Sequence, residues 1–275
     1  MGGRRMSSDS AVSYVAQSAV RTAVLLELAG DRMVTEELLD EVDASESAVY
    51  NALSALKRRG LVRSLGDRWE VTGRGRLVAD AIEEQAALDR LLDHEYWETH
   101  DASVLPRQFR HRMSDLEDAT VIEASDTDPY GVVRDVRERL EQTEHAHVIT
   151  QIYQPDYVEA MPDTADSQLL LDWSIIEETV GDPDGDPIET DEVRIFDETK
   201  SRLLDAEFTI TVTDSEVILS LPTLDGRYDS RTSVVCADET AHAWGRDLFE
   251  HYWQQATPVE AALADLDIDF GEPKN

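Results

Sequence analysis

Apolar residues recur at helical spacing from Val12 to Leu28, on more than one face, and predict a single helix ended by Gly30 and Asp31. One of its faces is expected to pack inward and a second to meet a partner subunit. Thr35 is expected to cap a short helix, with Glu37 and Leu38 in its first turn, running to about Val42; Asp43 and Ala44 then make a turn. The next segment is the most regular in the chain. Val49, Ala52, Leu53 and Leu56 fall at i, i+3, i+4 and i+7 and form one apolar stripe. Ser47, Tyr50, Asn51, Ser54 and Arg58 occupy the opposite face. Ser45 is placed to accept a free backbone N–H of the first turn. Lys57, Arg58 and Arg59 sit at the C-terminal end, where a helix favours cations, and Gly60 closes it. Leu61–Ser64 and Arg68–Thr72 alternate apolar and polar residues around Gly66–Asp67, a hairpin pattern with Trp69 and Val71 facing inward. Thr72 caps a further helix through Leu77, Val78, Ala81 and Ile82 towards Leu92.

Beyond residue 93 the pattern mixes both periods. Tyr130–Thr143 and Gln168–Val180 have helical spacing, the latter open to a strand reading at Gln168–Trp173. His147–Tyr153, Glu192–Ile195, Ala206–Val212, Glu216–Leu221 and Thr232–Cys236 are predicted strands. Glu239–Gln255 is a helix with Trp244, Leu248, Phe249 and Tyr252 on one face. The expected fold class is α+β. A disordered arm (1–11) would precede a winged helix-turn-helix domain (12–92) and a mixed α/β regulatory domain (93–275), a sheet covered by helices.

Composition changes this picture in one respect, charge. The 275 residues carry 59 Asp and Glu against 25 Lys and Arg, a net charge of −34, and three of the basic residues are lysines. Such heavy carboxylate use resembles proteins of extreme halophiles, so most single acidic residues are expected to serve surface solvation. The imbalance is uneven. Residues 1–93 have a net charge of −4, residues 94–275 a net charge of −30, and residues 45–76 a net charge of +4. A cationic island that coincides with the helix-turn-helix pattern points to double-stranded DNA as partner. Cys236 is the only cysteine, which excludes an internal disulfide and a cysteine metal cluster. No stretch approaches the roughly 18 apolar residues of a membrane span, and MGGRRMSSDS lacks the apolar core of a signal peptide. A soluble cytoplasmic protein with no membrane partner is expected.

Arg59–Gly60–Leu61–Val62, Trp69, Thr72 and Gly75 form a pattern that resembles archaeal and bacterial winged-helix regulators over residues 12–92. The second half resembles the C-terminal domain of methanogen and haloarchaeal regulators of the methanogenesis-regulatory type. The matching residues are Trp97, His100, Leu105–Pro106 and Phe109, then the region Leu116 to Ala119. Near the end they are Leu219–Asp229, the apolar strand Ser233–Cys236, and Ala241–Trp253. The resemblance implies a transcription factor with a sensor or assembly domain. The acidic stretch Gly181–Glu192 departs from that pattern as an added loop.

The candidate DNA-binding residues are Ser45, Ser47, Tyr50, Asn51, Ser54, Lys57 and Arg58 on the recognition helix, with Arg63, Arg68 and Arg74 to hold the backbone. Asn and Arg are the side chains that pair with adenine and guanine edges. Candidate effector-binding residues are Trp97, His100, Arg107, Tyr153, Arg194, Arg227 and Tyr228. An alternative use of Trp97 and Leu105 is simply to dock the linker helix. His145 and His147 have metal-ligand spacing but no third nitrogen or sulfur nearby, and Asp182, Asp184 and Asp186 lack the order of a calcium loop, so no metal or other cofactor is expected. Nucleophile elbows, phosphate-binding glycine loops and zinc-protease motifs are missing from the sequence, so no enzyme is expected. The leading reading is a homodimeric regulator of a halophilic archaeon that reads a (pseudo)palindromic site and senses a small-molecule effector or mediates assembly. A DNA-associated assembly protein without ligand is the alternative, and an enzyme fused to a winged helix is a third.

Overall fold

The structure, a computed structural model, describes residues 10–162, 164, 166–175 and 200–259. It divides into two units, 1–89 and 90–275. The predicted arm lies outside the described residues as far as residue 9, as do the loop Gly181–Glu192, the strand Glu192–Ile195 and Arg194.

The first predicted helix is two. Ser10 caps α1 (Ala11–Ala16) and Ser18 caps α2 (Ala19–Gly30), each hydroxyl accepting a first-turn N–H. A polar pair, Gln17 and Ser18, separates them; the apolar spacing alone ran across the break. The short strand β1 (Met33–Val34) follows, then α3 (Thr35–Glu41). Thr35 does not cap α3. Its hydroxyl accepts from Trp69 Nε1 at 3.1 Å, and Glu37 instead closes the helix by accepting from Val34 N at 2.8 Å. Helix α4 (Glu46–Arg58) begins at Ser45, whose Oγ accepts from Ala48 N, and Gly60 follows with a φ of 69°, a left-handed conformation that glycine adopts freely. Strands β2 (Val62–Leu65) and β3 (Arg68–Val71) pair around the tip, and β1 joins β3 to give the order β1-β3-β2. Helix α5 (Gly73–Leu91) ends the unit. Leu25, Leu28, Leu38, Val49, Leu53, Leu56 and Leu61 form its core, with Trp69 and Val71 half-buried against them. This is a winged helix-turn-helix.

In the second unit, α6 (Tyr96–Thr99) and α7 (Arg107–Arg110) precede β4 (Thr120–Glu123), α8 (Gly131–Glu141), β5 (His147–Thr150) and α9 (Pro155–Ala160). Then come β6 (Gln168–Asp172), β7 (Lys200–Leu204), β8 (Thr209–Val212), β9 (Val217–Ser220), β10 (Thr232–Cys236), α10 (Glu239–Trp253) and β11 (Thr257–Pro258). The eight strands form one mixed sheet in the order β11-β7-β6-β5-β8-β9-β10-β4, with β5, β6 and β7 mutually parallel. Gln168–Asp172 is thus the strand of the two readings, not the helix. Its run of leucines is buried on both faces, as a central parallel strand requires. Register places Ile149, Ile210, Leu219 and Val234 on one face and Val148, Thr211, Ile218 and Val235 on the other. Trp244, Leu248 and Phe249 of α10 are buried; Phe249 stacks on His147, and Tyr252 meets Phe208 edge-on. Val132, Val136 and Leu140 of α8 and Ala160 of α9 close the opposite face over Ile218 and Val235. The whole is an α+β chain, a winged helix-turn-helix followed by a mixed sheet covered by helices. No helix among the described residues is long and apolar enough to cross a membrane.

Candidate nucleic-acid interface

The stripe of α4 does what its spacing implies. Val49, Ala52, Leu53 and Leu56 are all buried, and this turns Ser47, Tyr50, Asn51, Ser54 and Arg58 to solvent. Tyr50 is 48% exposed, large for an aromatic side chain with no packing role. Tyr50, Asn51, Ser54 and Arg58 form no hydrogen bond or ion pair among the described residues, so their polar groups are free to meet a ligand. Ser45 is occupied as the cap and shares a 3.2 Å contact with Ser47 Oγ. Lys57 reaches Ser64 Oγ at 3.3 Å and lies over the Trp69 ring, which ties the end of the helix to the hairpin.

The other expected cations are exposed, and each is already engaged within the unit. Arg74 donates to the Arg59 carbonyl at 3.2 Å and Arg68 to the Arg32 carbonyl at 3.2 Å. Arg63 pairs with Glu70, which is 4% exposed and also takes Arg32 at 2.8 Å. Glu70 was legible in part. A two-residue tip at Gly66–Asp67 sets Arg63 opposite Glu70, as the register confirms. Arg32 was not, since only the pairing of β1 with β3 brings it there.

In the second unit the described effector candidates each have different neighbours. His100 is buried; its Nδ1 lies 2.9 Å from the Tyr96 carbonyl, and its Nε2 lies 3.2 Å from Asp229 Oδ2 and 3.3 Å from Thr232 Oγ1. Burial alone would raise the Asp229 carboxyl, but hydrogen bonds from Thr232, Arg231 N and His100 outweigh it and hold its pKa below the ordinary value. Burial, with Asp229 near, pushes the Tyr228 phenol up to about 12. Trp97 meets Tyr96 edge-on, Arg107 donates to His111, Arg227 pairs with Asp225, and Tyr153 is 40% exposed. A cavity of about 420 Å³ opens instead at the carboxyl ends of β5 and β6, where open sheets take ligands. Its lining includes Asp101, Ser103, Gln151, Asp172, Ser174 and Glu207; of these, Asp101 lies in the His94–Asp101 cluster that the sequence marks for a pocket, and the others carried no sequence signal. Asp101 accepts from Ser103 N and Asp172 from Ser174 and Ala206 N, so both carboxylates also fix turns. His145 and His147 go to separate partners, Thr164 Oγ1 and the Asp166 carbonyl. Burial lowers the His147 pKa.

A buried-stripe helix with an exposed polar row, followed by a cation-bearing hairpin, is the arrangement of a winged helix-turn-helix module. Residues 9–91 match the family described as the HVO_A0261 N-terminal domain, and residues 129–255 match the middle domain of the methanogenesis regulatory protein FilR1. The chain is homologous to the methanogenesis regulatory protein FilR1 of Methanothrix harundinacea (strain 6Ac), 23% identical over 258 residues. That alignment covers 90% of this chain and 58% of that protein, so the chain spans well under two thirds of its relative's length. Among solved structures, TrmBL2, an archaeal chromatin protein, aligns with a TM-score of 0.37 and 15% identity over 92% of this chain and 100% of that one. NucT from Helicobacter pylori aligns with a TM-score of 0.37 and 9% identity over 51% and 98%.

Proposed function

We propose that this chain is a DNA-binding transcriptional regulator of a halophilic archaeon that reads a (pseudo)palindromic site as a homodimer. The observation that carries the reading is the row Tyr50, Asn51, Ser54 and Arg58. It is exposed and without internal partners on a helix whose other face is wholly core. Homology to a protein named as a methanogenesis regulator supports a regulatory role. Two copies suit this role, because one recognition helix spans few base pairs and two half-sites about 10 bp apart restore specificity. The second unit senses a small-molecule effector or mediates assembly, and the cavity at the strand ends favours the first. Its carboxylates and hydroxyls suit a cationic or hydroxylated ligand better than an anion.

Binding is tested on the full chain by fluorescence anisotropy, with duplexes recovered by genome-wide mapping in the native salt regime. Asn51→Ala and Arg58→Ala should each abolish the preference for the mapped duplex over a scrambled one, costing about 1–3 kcal/mol of discrimination. Arg68→Ala should weaken both duplexes alike. Undiminished sequence preference in the first two variants would overturn the assignment. Melting of the chain against a metabolite set in molar KCl separates sensing from assembly, since a bound effector raises the midpoint.

A further inference from the structure

Strand register sets three charged residues in one line across the small sheet. Arg63 on β2 lies directly opposite Glu70 on β3; Arg32 sits one residue before Met33, whose partner is Trp69, and so flanks Glu70 from the other side. Glu70 Oε2 takes Arg32 Nε at 2.8 Å and Oε1 takes Arg63 Nε, which commits both carboxylate oxygens. The Glu70 side chain is 6% exposed, while those of Arg32 and Arg63 are each 66% exposed. A guanidinium has five N–H donors in a rigid fork. Arg63 donates its Nε–H to Glu70 and Arg32 approaches it through Nε as an ion pair, and no hydrogen bond or ion pair of either Nη pair is formed among the described residues. Arg68 fastens the arrangement by donating to the Arg32 carbonyl.

Burying a lone carboxylate under two exposed arginines is a poor way to stabilise a small sheet, since an apolar residue of similar size does as well or better. The arrangement does hold two long side chains in one geometry with a residual charge of +1. We propose that Arg32 and Arg63 form a clamp for a single DNA-backbone phosphate, with Glu70 as the positioning residue. The inference rests on the DNA-binding reading and adds to it a site, a ligand group and a residue, Arg32, outside the helix and hairpin.

The test is anisotropy of the full chain on specific and scrambled duplexes across a KCl series, with melting of each variant alongside. Arg32→Ala and Arg63→Ala should each weaken both duplexes by a similar factor, on the order of tenfold, and make the slope of log affinity against log salt shallower by up to about one. Arg32→Lys, which keeps the charge and loses the fork, should behave like Arg32→Ala. Glu70→Gln discriminates by sign. Removing a negative charge near DNA tightens binding if only net charge matters, whereas the clamp requires weaker binding. Tighter binding by Glu70→Gln overturns the proposal, and so does unchanged affinity in the arginine variants. Should Glu70→Gln fail to fold, the exposed arginine variants still decide. A wild-type chain that binds no duplex sinks the DNA reading and the clamp together, while wild-type binding with unaffected variants sinks the clamp alone.

Discussion

Gly75 shows how one position can be fixed by what surrounds it. A Cβ there would fall onto the carbonyl oxygen of Leu61 and against Val71 Cγ2. That same carbonyl already accepts from Thr72 N at 2.9 Å and Thr72 Oγ1 at 3.1 Å, so it has no freedom to retreat. Gly75→Ala is therefore expected to destabilise the first unit by about 1–3 kcal/mol or more, read as a lower melting midpoint with DNA binding lost in parallel. The pattern around Gly75 was visible in sequence, but the reason for it was not, because it depends on helix α5 meeting Leu61, just before β2, and Val71 at the end of β3. His100 is the converse case. A histidine near an aromatic and a carboxylate invites a ligand reading, yet here it stacks on Tyr96 at 3.8 Å and ties α6 to Asp229 and Thr232. Asp229→Asn should cost about 1–3 kcal/mol, as expected for a partly buried, charge-assisted network. The pH dependence has a definite sign. The folded carboxyl titrates below its unfolded value near 3.9, so its contribution is complete above that value and is lost as pH falls through the lower folded one. Acid titration of wild type and Asp229→Asn should converge below pH 4; curves that stay parallel would contradict the assignment.

At the scale of elements, legibility followed the strength of the periodic signal. Helix α4 was readable because its two faces differ completely, and the hairpin because its tip is two residues long. Helix α10 was likewise marked by four large residues on one side. Strand β6 stayed open between helix and strand because Leu169, Leu170 and Leu171 in succession carry no period, and a central parallel strand and a buried helix then look alike. Strand β7 has Lys200, Ser201 and Arg202 before its two leucines, and edge strand β4 has apolar residues only at Val121 and Ile122, so neither stood out. Ser45 allows an element-scale test of a residue assigned by sequence to DNA. Its Oγ accepts from Ala48 N at 3.4 Å and is placed as a cap. Ser45→Ala should lower stability by roughly 1 kcal/mol, seen by thermal melting, and leave the ratio of affinities for mapped and scrambled duplexes unchanged. A changed ratio would return Ser45 to the groups that read bases.

The whole molecule is governed by where its charge lies. Dividing the chain at residue 89 leaves a net charge of −4 in the first unit and −30 in the second. Self-repulsion of this size opposes the compact state, and salt relieves it as the Debye length contracts from about 10 Å at 0.1 M to about 3 Å at 1 M. Salt also strengthens apolar burial when the anion is excluded from the surface, but that effect acts on both units. Only the electrostatic part distinguishes them. Hydrogen exchange on the full chain, read peptide by peptide between 0.1 M and 2 M KCl, should therefore show protection rising much more in β5, β8 and β9 than in α2 and α4. The same salt has the opposite effect on DNA, since releasing counterions from phosphate contributes less as bulk salt rises. On the proposed DNA-binding reading a chain of this composition is pulled two ways, its second unit stabilised by salt and its first losing nonspecific grip in it. The groups that keep their value in molar salt are short, directional ones, such as an asparagine or a forked arginine against a base edge or a phosphate. If protection in α2 and α4 rises as steeply as in β8, the charge partition does not govern stability, and a general exclusion effect does.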